Sequence, residues 1–231
     1  MLSLDDRLPE HAADLVHEDN QPMTGPASPK QSANPAATRR YGPEVGEPPL
    51  LVDPQRWGSL IGLVGGLVFI GSYSSVLGAA VSAIAWAAGV VLVLAALSAL
   101  YVWPVALGPM ARPSRLALAT YVVCVAGELA LINLGSRALT AAGDGELQPA
   151  LIAAVVGLHF IPFAWAFHER MFFWLGGLVC VLGATGLLAG AMGVGHAGEA
   201  AAVLAGLVML IVITVYARGR FAPRPSSQST V

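Results

Sequence analysis

The sequence predicts an all-α integral membrane protein: a polytopic helix bundle of six transmembrane helices that follows a disordered N-terminal tail. The chain of 231 residues is 56% hydrophobic and only 11% charged, too few charges to cover the surface of a soluble protein of this size. Apolar runs of about 20 residues, the length that crosses a bilayer as a helix, recur from Trp57 onward.

The N-terminal tail, residues 1–55, differs sharply from the rest of the chain. It holds nine of the 14 acidic residues and nine of the 16 prolines, with few large apolar side chains. Such a segment cannot bury enough apolar surface to offset the entropy of ordering, so we expect it to be disordered and cytoplasmic. Residues 9–19 are the one exception: Pro9 suits a first helical turn, so they form a short helix or a transient one.

The transmembrane domain, residues 56–217, contains the six predicted spans, which cover residues 57–77, 80–103, 116–138, 149–167, 171–191 and 200–217. A tight uncharged turn joins the first two, and three prolines in residues 104–115 end that hairpin. A polar loop, residues 140–148, precedes Pro149, which opens the fourth span. Residues 168–170 and 192–199 are the remaining breaks, and residues 218–231 are expected to be a basic, disordered, cytoplasmic C-tail.

The distribution of basic residues predicts the orientation. With the N-terminus in the cytoplasm, 11 of the 12 Lys and Arg residues lie inside and only Arg137 lies outside. Both termini are therefore expected to be cytoplasmic. Arg outnumbers Lys eleven to one, and Ala, Gly, Val and Leu dominate, a bias typical of a GC-rich bacterial genome, so we expect a bacterial plasma-membrane protein. Aromatic residues near the predicted span ends are expected to lie at the membrane interface. They are Trp57, Tyr101, Trp103, Trp174 and Tyr216.

Small residues form ridges on two of the spans. Gly58, Gly62 and Gly66 are spaced by four on the first, and Gly186 and Gly190 repeat the spacing on the fifth. Such ridges let helix backbones approach closely in lipid, so the first is a candidate surface for a homo-oligomer. The alternative is that glycine is simply abundant in this chain.

Two ionisable residues are predicted near the bilayer midplane on consecutive spans, Glu128 on the third and His159 on the fourth. An isolated charge there costs at least about 2.5–3.5 kcal/mol, so each needs a partner, a neutral state or water. Spans joined by a short loop usually pack as neighbours, and we therefore predict a Glu128–His159 contact. The pair either serves a function or only fixes helix register.

Three further residues support a polar site around the pair. Tyr121 and Cys124 precede Glu128 at spacings of three and four, so all three share one helix face. Pro162 removes the hydrogen bond to the carbonyl of Leu158 and favours a kink beside His159.

Other chemistry is not indicated. The sequence lacks the phosphate-binding loop, zinc-protease and serine-hydrolase motifs, so we predict no enzyme and no catalytic residue. We expect no metal, because the histidines and acids do not cluster at ligand spacing. We also expect no cofactor and no nucleic-acid partner.

Residues 156–177, with Gly-Leu-His-Phe-x-Pro followed by an apolar stretch and Phe, resemble a segment of small bacterial multi-span membrane proteins without an established activity. The resemblance implies a multi-span architecture and picks out His159, but no function. The sequence as a whole favours a small transporter-like or permeation protein with a proton- or substrate-sensing pair. The alternative is a membrane scaffold whose N-tail recruits a cytoplasmic protein, with the pair purely structural.

Overall fold

The computed structural model describes residues 54–104, 115–167 and 169–221. Within these residues six helices are long and apolar enough to cross a membrane, which confirms the predicted fold class. The helices are α1 (Pro54–Tyr73), α2 (Ala79–Leu97), α3 (Arg115–Ala142), α4 (Gln148–Ala166), α5 (Arg170–Ala191) and α6 (Ala197–Ala217). Most of the predicted N-tail and C-tail, including the helix predicted over residues 9–19, lies outside the described residues.

Short irregular segments complete these helices. A 3-10 turn, Ser74–Leu77, extends α1, and Gly78 closes the α1–α2 hairpin at φ +99°, a conformation that favours glycine. A π-helical turn, Ser98–Val102, ends α2. α3 continues to Ala142, four residues beyond the predicted end, because Thr140–Ala142 are still helical before Gly143 turns the chain at φ +88°.

The helices run alternately up and down, so α1, α3 and α5 begin at one end of the bundle, the near end, and finish at the far end. At the near end the buried Arg56 guanidinium donates a hydrogen bond to the Leu100 carbonyl, which ties the start of α1 to the end of α2. Nearer the far end, Ser74 and Ser82 share a hydrogen bond of 2.9 Å.

α6 forms the centre of the bundle. In its most apolar window 67% of the residues are buried, whereas none are buried in the corresponding window of α3. Two hydrophobic clusters meet on α6, one built with α4 and α5 and the other with α1 and α2. Neither cluster includes a residue of α3, which packs mainly on α4.

Two helix crossings depend on glycines that face each other. At the α1–α6 crossing, a Cβ added to Gly66 would lie 2.9 Å from the Gly206 carbonyl oxygen, and one on Gly206 would lie 2.6 Å from the Gly66 oxygen. At the α4–α5 crossing, Gly157 and Gly176 meet in the same reciprocal way, at 2.8 and 2.7 Å. Backbones that approach so closely are typical of helix packing in lipid.

The glycine ridge on α1 is largely covered by the chain itself. Gly66 meets Gly206, and a Cβ on Gly62 would lie 2.6 Å from Cδ1 of Ile213, also on α6. Of the three, only Gly58 has no atom of the described residues within 4 Å of such a Cβ. Self-association through Gly58, Gly62 and Gly66 stays a prediction, and Gly58 is the member of the ridge that remains open to it.

The aromatic residues predicted at the membrane interface differ in exposure. Trp57, Trp103 and Trp174 are more than half exposed near the helix ends, as an interfacial position requires. Tyr216, next to the last residue of α6, faces the core instead of the lipid: it is 5% exposed, with its ring centroid 6.4 Å from that of Phe221. The turn Arg218–Phe221 folds back after α6 and covers it, which hydropathy could not indicate.

Candidate functional site

The site is built on the seam between α3 and α4. Three residues of α3 spaced by seven positions face α4, because seven residues make almost two whole turns of a helix. They are Tyr121, Glu128 and Gly135. Their spacing places an aromatic ring, a carboxyl group and a glycine in one row along the face of α3 that contacts α4.

The residues of α4 meet these three in antiparallel order. The Tyr121 ring stacks on Phe163 with centroids 5.5 Å apart, and a Cβ on Gly135 would lie 2.6 Å from Leu151 Cδ2. Between these two contacts, His159 lies opposite Glu128.

The two ionisable side chains approach closely. His159 Nδ1 lies 3.3 Å from Glu128 Oε2, and the side chains are only 13% and 17% exposed. The distance is that of an ion pair, but the atoms are not aligned for a hydrogen bond, and Nδ1 makes none of normal geometry within the described residues. The structure thus brings together Glu128 and His159, the two ionisable residues that the sequence singled out in the spans.

An aromatic cluster borders the pair on the near-end side. The His159 ring lies 4.2 Å from the Phe160 centroid and meets Phe163 edge-on at 5.2 Å. Phe163 contacts Phe167 and Phe172 at 5.6 and 6.0 Å, which extends the cluster to the start of α5. These rings exclude water from that side of the histidine and offer it no hydrogen-bond acceptor.

Sequence reasoning missed this cluster, although a signal was present. Phe160, Phe163 and Phe167 are spaced by three and four, so they share one face of α4 with His159. The apolar character of the whole segment concealed the face, because every neighbour is apolar as well.

The supporting residues take different positions. Cys124 is partly buried one turn before Glu128, and Cys180 is a free, partly buried thiol on α5 at the residue whose backbone approaches Gly157. Pro162 lies inside α4, which continues through it to Ala166, so the proline removes one backbone donor without ending the helix. Asn133 lies elsewhere on α3, in a surface groove.

Other ionisable residues form no comparable site. His196 Nδ1 lies 3.9 Å from Glu199 Oε2 at the start of α6, and His196 is 63% exposed. Among the residues that the structure describes, no three histidines, cysteines or acids are grouped as metal ligands would be. Glu169 precedes α5 at the near end, and burial raises the pKa of its carboxyl group.

Fold and site together define a class, a multi-pass α-helical membrane protein with an ionisable pair between two neighbouring helices. The chain matches no protein-family model, no curated protein and no solved structure. The resemblance of residues 156–177 to a bacterial membrane-protein family stays a prediction, and the function is argued from the site alone.

Proposed function

We propose that this chain is a small transporter-like permeation protein of the bacterial plasma membrane, with cytoplasmic termini, in which Glu128 and His159 sense a proton or substrate. The observation that carries the proposal is the 3.3 Å contact between their side chains in the middle of two apolar spans. Ionisable groups at this depth are costly, and they commonly mark ion or proton pathways.

The pair is suited to sensing because of its charge balance. With one shared proton the pair is neutral overall, whichever residue holds that proton. Gaining or losing a proton leaves a net charge in the span, at a cost of about 2.5–3.5 kcal/mol or more. A change of state therefore requires water, an ion or a substrate to compensate the charge at the same moment.

α3 is the element that responds. It lies outside both core clusters and packs mainly on α4, so it can shift without opening the core. A net charge on the pair changes the attraction across the seam directly, because Glu128 is on α3 and His159 is on α4. The movement admits water or substrate between the two helices.

The test is proton flux into liposomes that contain the purified protein, driven by a potassium diffusion potential and followed with a pH-sensitive dye inside. We expect liposomes with the unchanged protein to acidify faster than empty liposomes. Liposomes with Glu128→Gln or His159→Gln should acidify only at the rate of empty liposomes. The matched controls are Glu146→Gln and His196→Gln, which change exposed residues of the same types and should retain the flux.

Equal elution volumes in size-exclusion chromatography and equal thermal stability of all variants and the unchanged protein would show that the variants fold. Full flux in both pair variants, or no flux in the unchanged protein, would overturn the proposal.

A second function, a membrane scaffold, is favoured by the exposure of α3. Its most apolar window has no buried residue, so it presents a broad apolar face on which another membrane protein can pack. In this case the pair only fixes the seam, and the N-tail recruits a cytoplasmic protein. Deleting residues 1–50 should then abolish function, whereas Glu128→Gln should preserve it. Neither function assigns a catalytic step to the chain.

A further inference from the structure

A surface groove of about 600 Å³ runs along α3 toward its far end, where the Thr140 hydroxyl, which lines the groove, accepts a hydrogen bond of 2.9 Å from the Gln148 amide of α4. The described residues that line it all belong to α3, and their chemistry changes along the helix. The apolar residues Leu129 and Ile132 lie closer to the middle of α3. The polar residues Asn133, Ser136 and Arg137 lie closer to its far end.

The positions of these residues can be compared with a bilayer leaflet. At 1.5 Å per residue, Arg137 lies about 7 Å before the end of α3, and Leu129 lies about 20 Å before it. A long arginine side chain extends toward the interface, which brings its guanidinium to the level of the lipid headgroups. The apolar part of the groove then lies at the depth of the acyl chains.

Arg137 is a cation for which the part of the chain that the structure describes supplies no counter-ion. It is exposed, and within the described residues no acid lies within ion-pair distance of it. It is also the single Lys or Arg of the described residues at the far end. A guanidinium binds phosphate through paired hydrogen bonds, and the Asn133 amide and Ser136 hydroxyl are further donors within one turn.

We infer that this groove binds one anionic phospholipid, with its phosphate on Arg137 and an acyl chain along Leu129 and Ile132. A free phosphate would leave the apolar part of the groove empty. A second copy packed on this face about a two-fold axis along the membrane normal would bring two like-charged Arg137 side chains into one interface at the same depth and would supply no anion for either. The lipid is the occupant that matches both the charge and the order of chemistry along α3.

Selective quenching of a fluorophore in the groove tests the inference. A bimane label is attached at Leu129→Cys in a Cys124→Ala, Cys180→Ala background, and the protein is reconstituted in phosphatidylcholine vesicles. An equal fraction of lipid with brominated acyl chains is added, either as phosphatidylglycerol or as phosphatidylcholine. We expect about a fivefold preference for the anionic lipid, the factor expected from one arginine near an anionic headgroup.

The preference should disappear in Arg137→Gln and persist in Arg115→Gln, which removes the same charge at the opposite end of the same helix. It should also weaken with salt but resist added inorganic phosphate. Equal quenching by the two lipids, or an unchanged preference in Arg137→Gln, would overturn the inference. Competition by millimolar phosphate would overturn the inference and indicate that the groove binds a free anion. Loss of quenching by both lipids would overturn it and indicate that a second copy of the chain covers the groove.

Discussion

Replacing Gly176 by alanine tests the close crossing of α4 and α5, on which the position of His159 depends. A Cβ at residue 176 would lie 2.7 Å from the Gly157 carbonyl oxygen, about 0.7 Å short of the 3.4 Å at which ordinary contact begins. The oxygen belongs to the backbone, so the two helices would have to separate. The adjacent Gly177 is the matched control, because a Cβ there would have no atom of the described residues within 4 Å.

The expected magnitude follows from two opposing contributions. Either substitution gains up to about 1 kcal/mol from the higher helix propensity of alanine. Only Gly176→Ala also suffers the clash, for which overpacking costs of about 1–3 kcal/mol are typical. The difference between the variants therefore isolates the clash, and for a chain of this length it corresponds to a gap in Tm of about 2–12 °C.

The assay is thermal unfolding of both variants in the same detergent. Gly176→Ala should unfold at the lower temperature, and Gly177→Ala at or slightly above that of the unchanged protein. Equal transition temperatures for the two variants would show that α4 and α5 do not cross at Gly157 and Gly176, and the reasoning would fail.

Three further predictions concern stability. Glu169→Gln should raise Tm at pH 7 and have less effect near pH 4. Burial raises the pKa of the Glu169 carboxyl group above its ordinary value of 4.5, so the folded protein loses stability as the pH rises above 4.5, and a glutamine, which does not ionise, avoids that loss. Ile70→Ala, at a position with no exposed area, should cost about 2–5 kcal/mol, whereas Ile61→Ala, at a residue 71% exposed, should cost far less in detergent titrations. Ser74→Ala should cost about 1–3 kcal/mol by leaving Ser82 without its buried partner, and a double-mutant cycle with Ser82→Ala should show the coupling.

The spans could be predicted because crossing a bilayer imposes a length and an apolar composition that are visible in any linear sequence. The breaks were equally visible, since glycine, proline and charged residues have local effects. α3 was predicted too short because Thr140–Ala142 are compatible with both helix and loop. Only the φ of Gly143 decides where the helix stops.

The packing of the spans could not be predicted in the same way. Hydropathy does not show which span is central: α6, the most apolar span at a mean hydropathy of 2.5, lies in the middle of the bundle, and α3, at 1.7, lies at its edge. Which glycines meet, Gly66 with Gly206 and Gly157 with Gly176, depends on the shapes of two helices at once. The Glu128–His159 contact could be predicted because ionisable residues are rare in spans and a short loop makes the two helices neighbours.

The most direct test of the proposed sensing role of Glu128 and His159 is to measure whether water reaches the pair. Cys124 is a native probe for this measurement, because it lies one turn from Glu128. In a Cys180→Ala background, a small charged thiol reagent applied to intact membranes should label Cys124. The rate should depend on pH, and that dependence should disappear in Glu128→Gln. The control is Cys180 in a Cys124→Ala background: this thiol lies on α5 and not on the α3–α4 seam, so Glu128→Gln should leave its labelling rate unchanged. A Cys124 that stays unlabelled at every pH, or labels identically with and without Glu128, would contradict a water-accessible sensing pair.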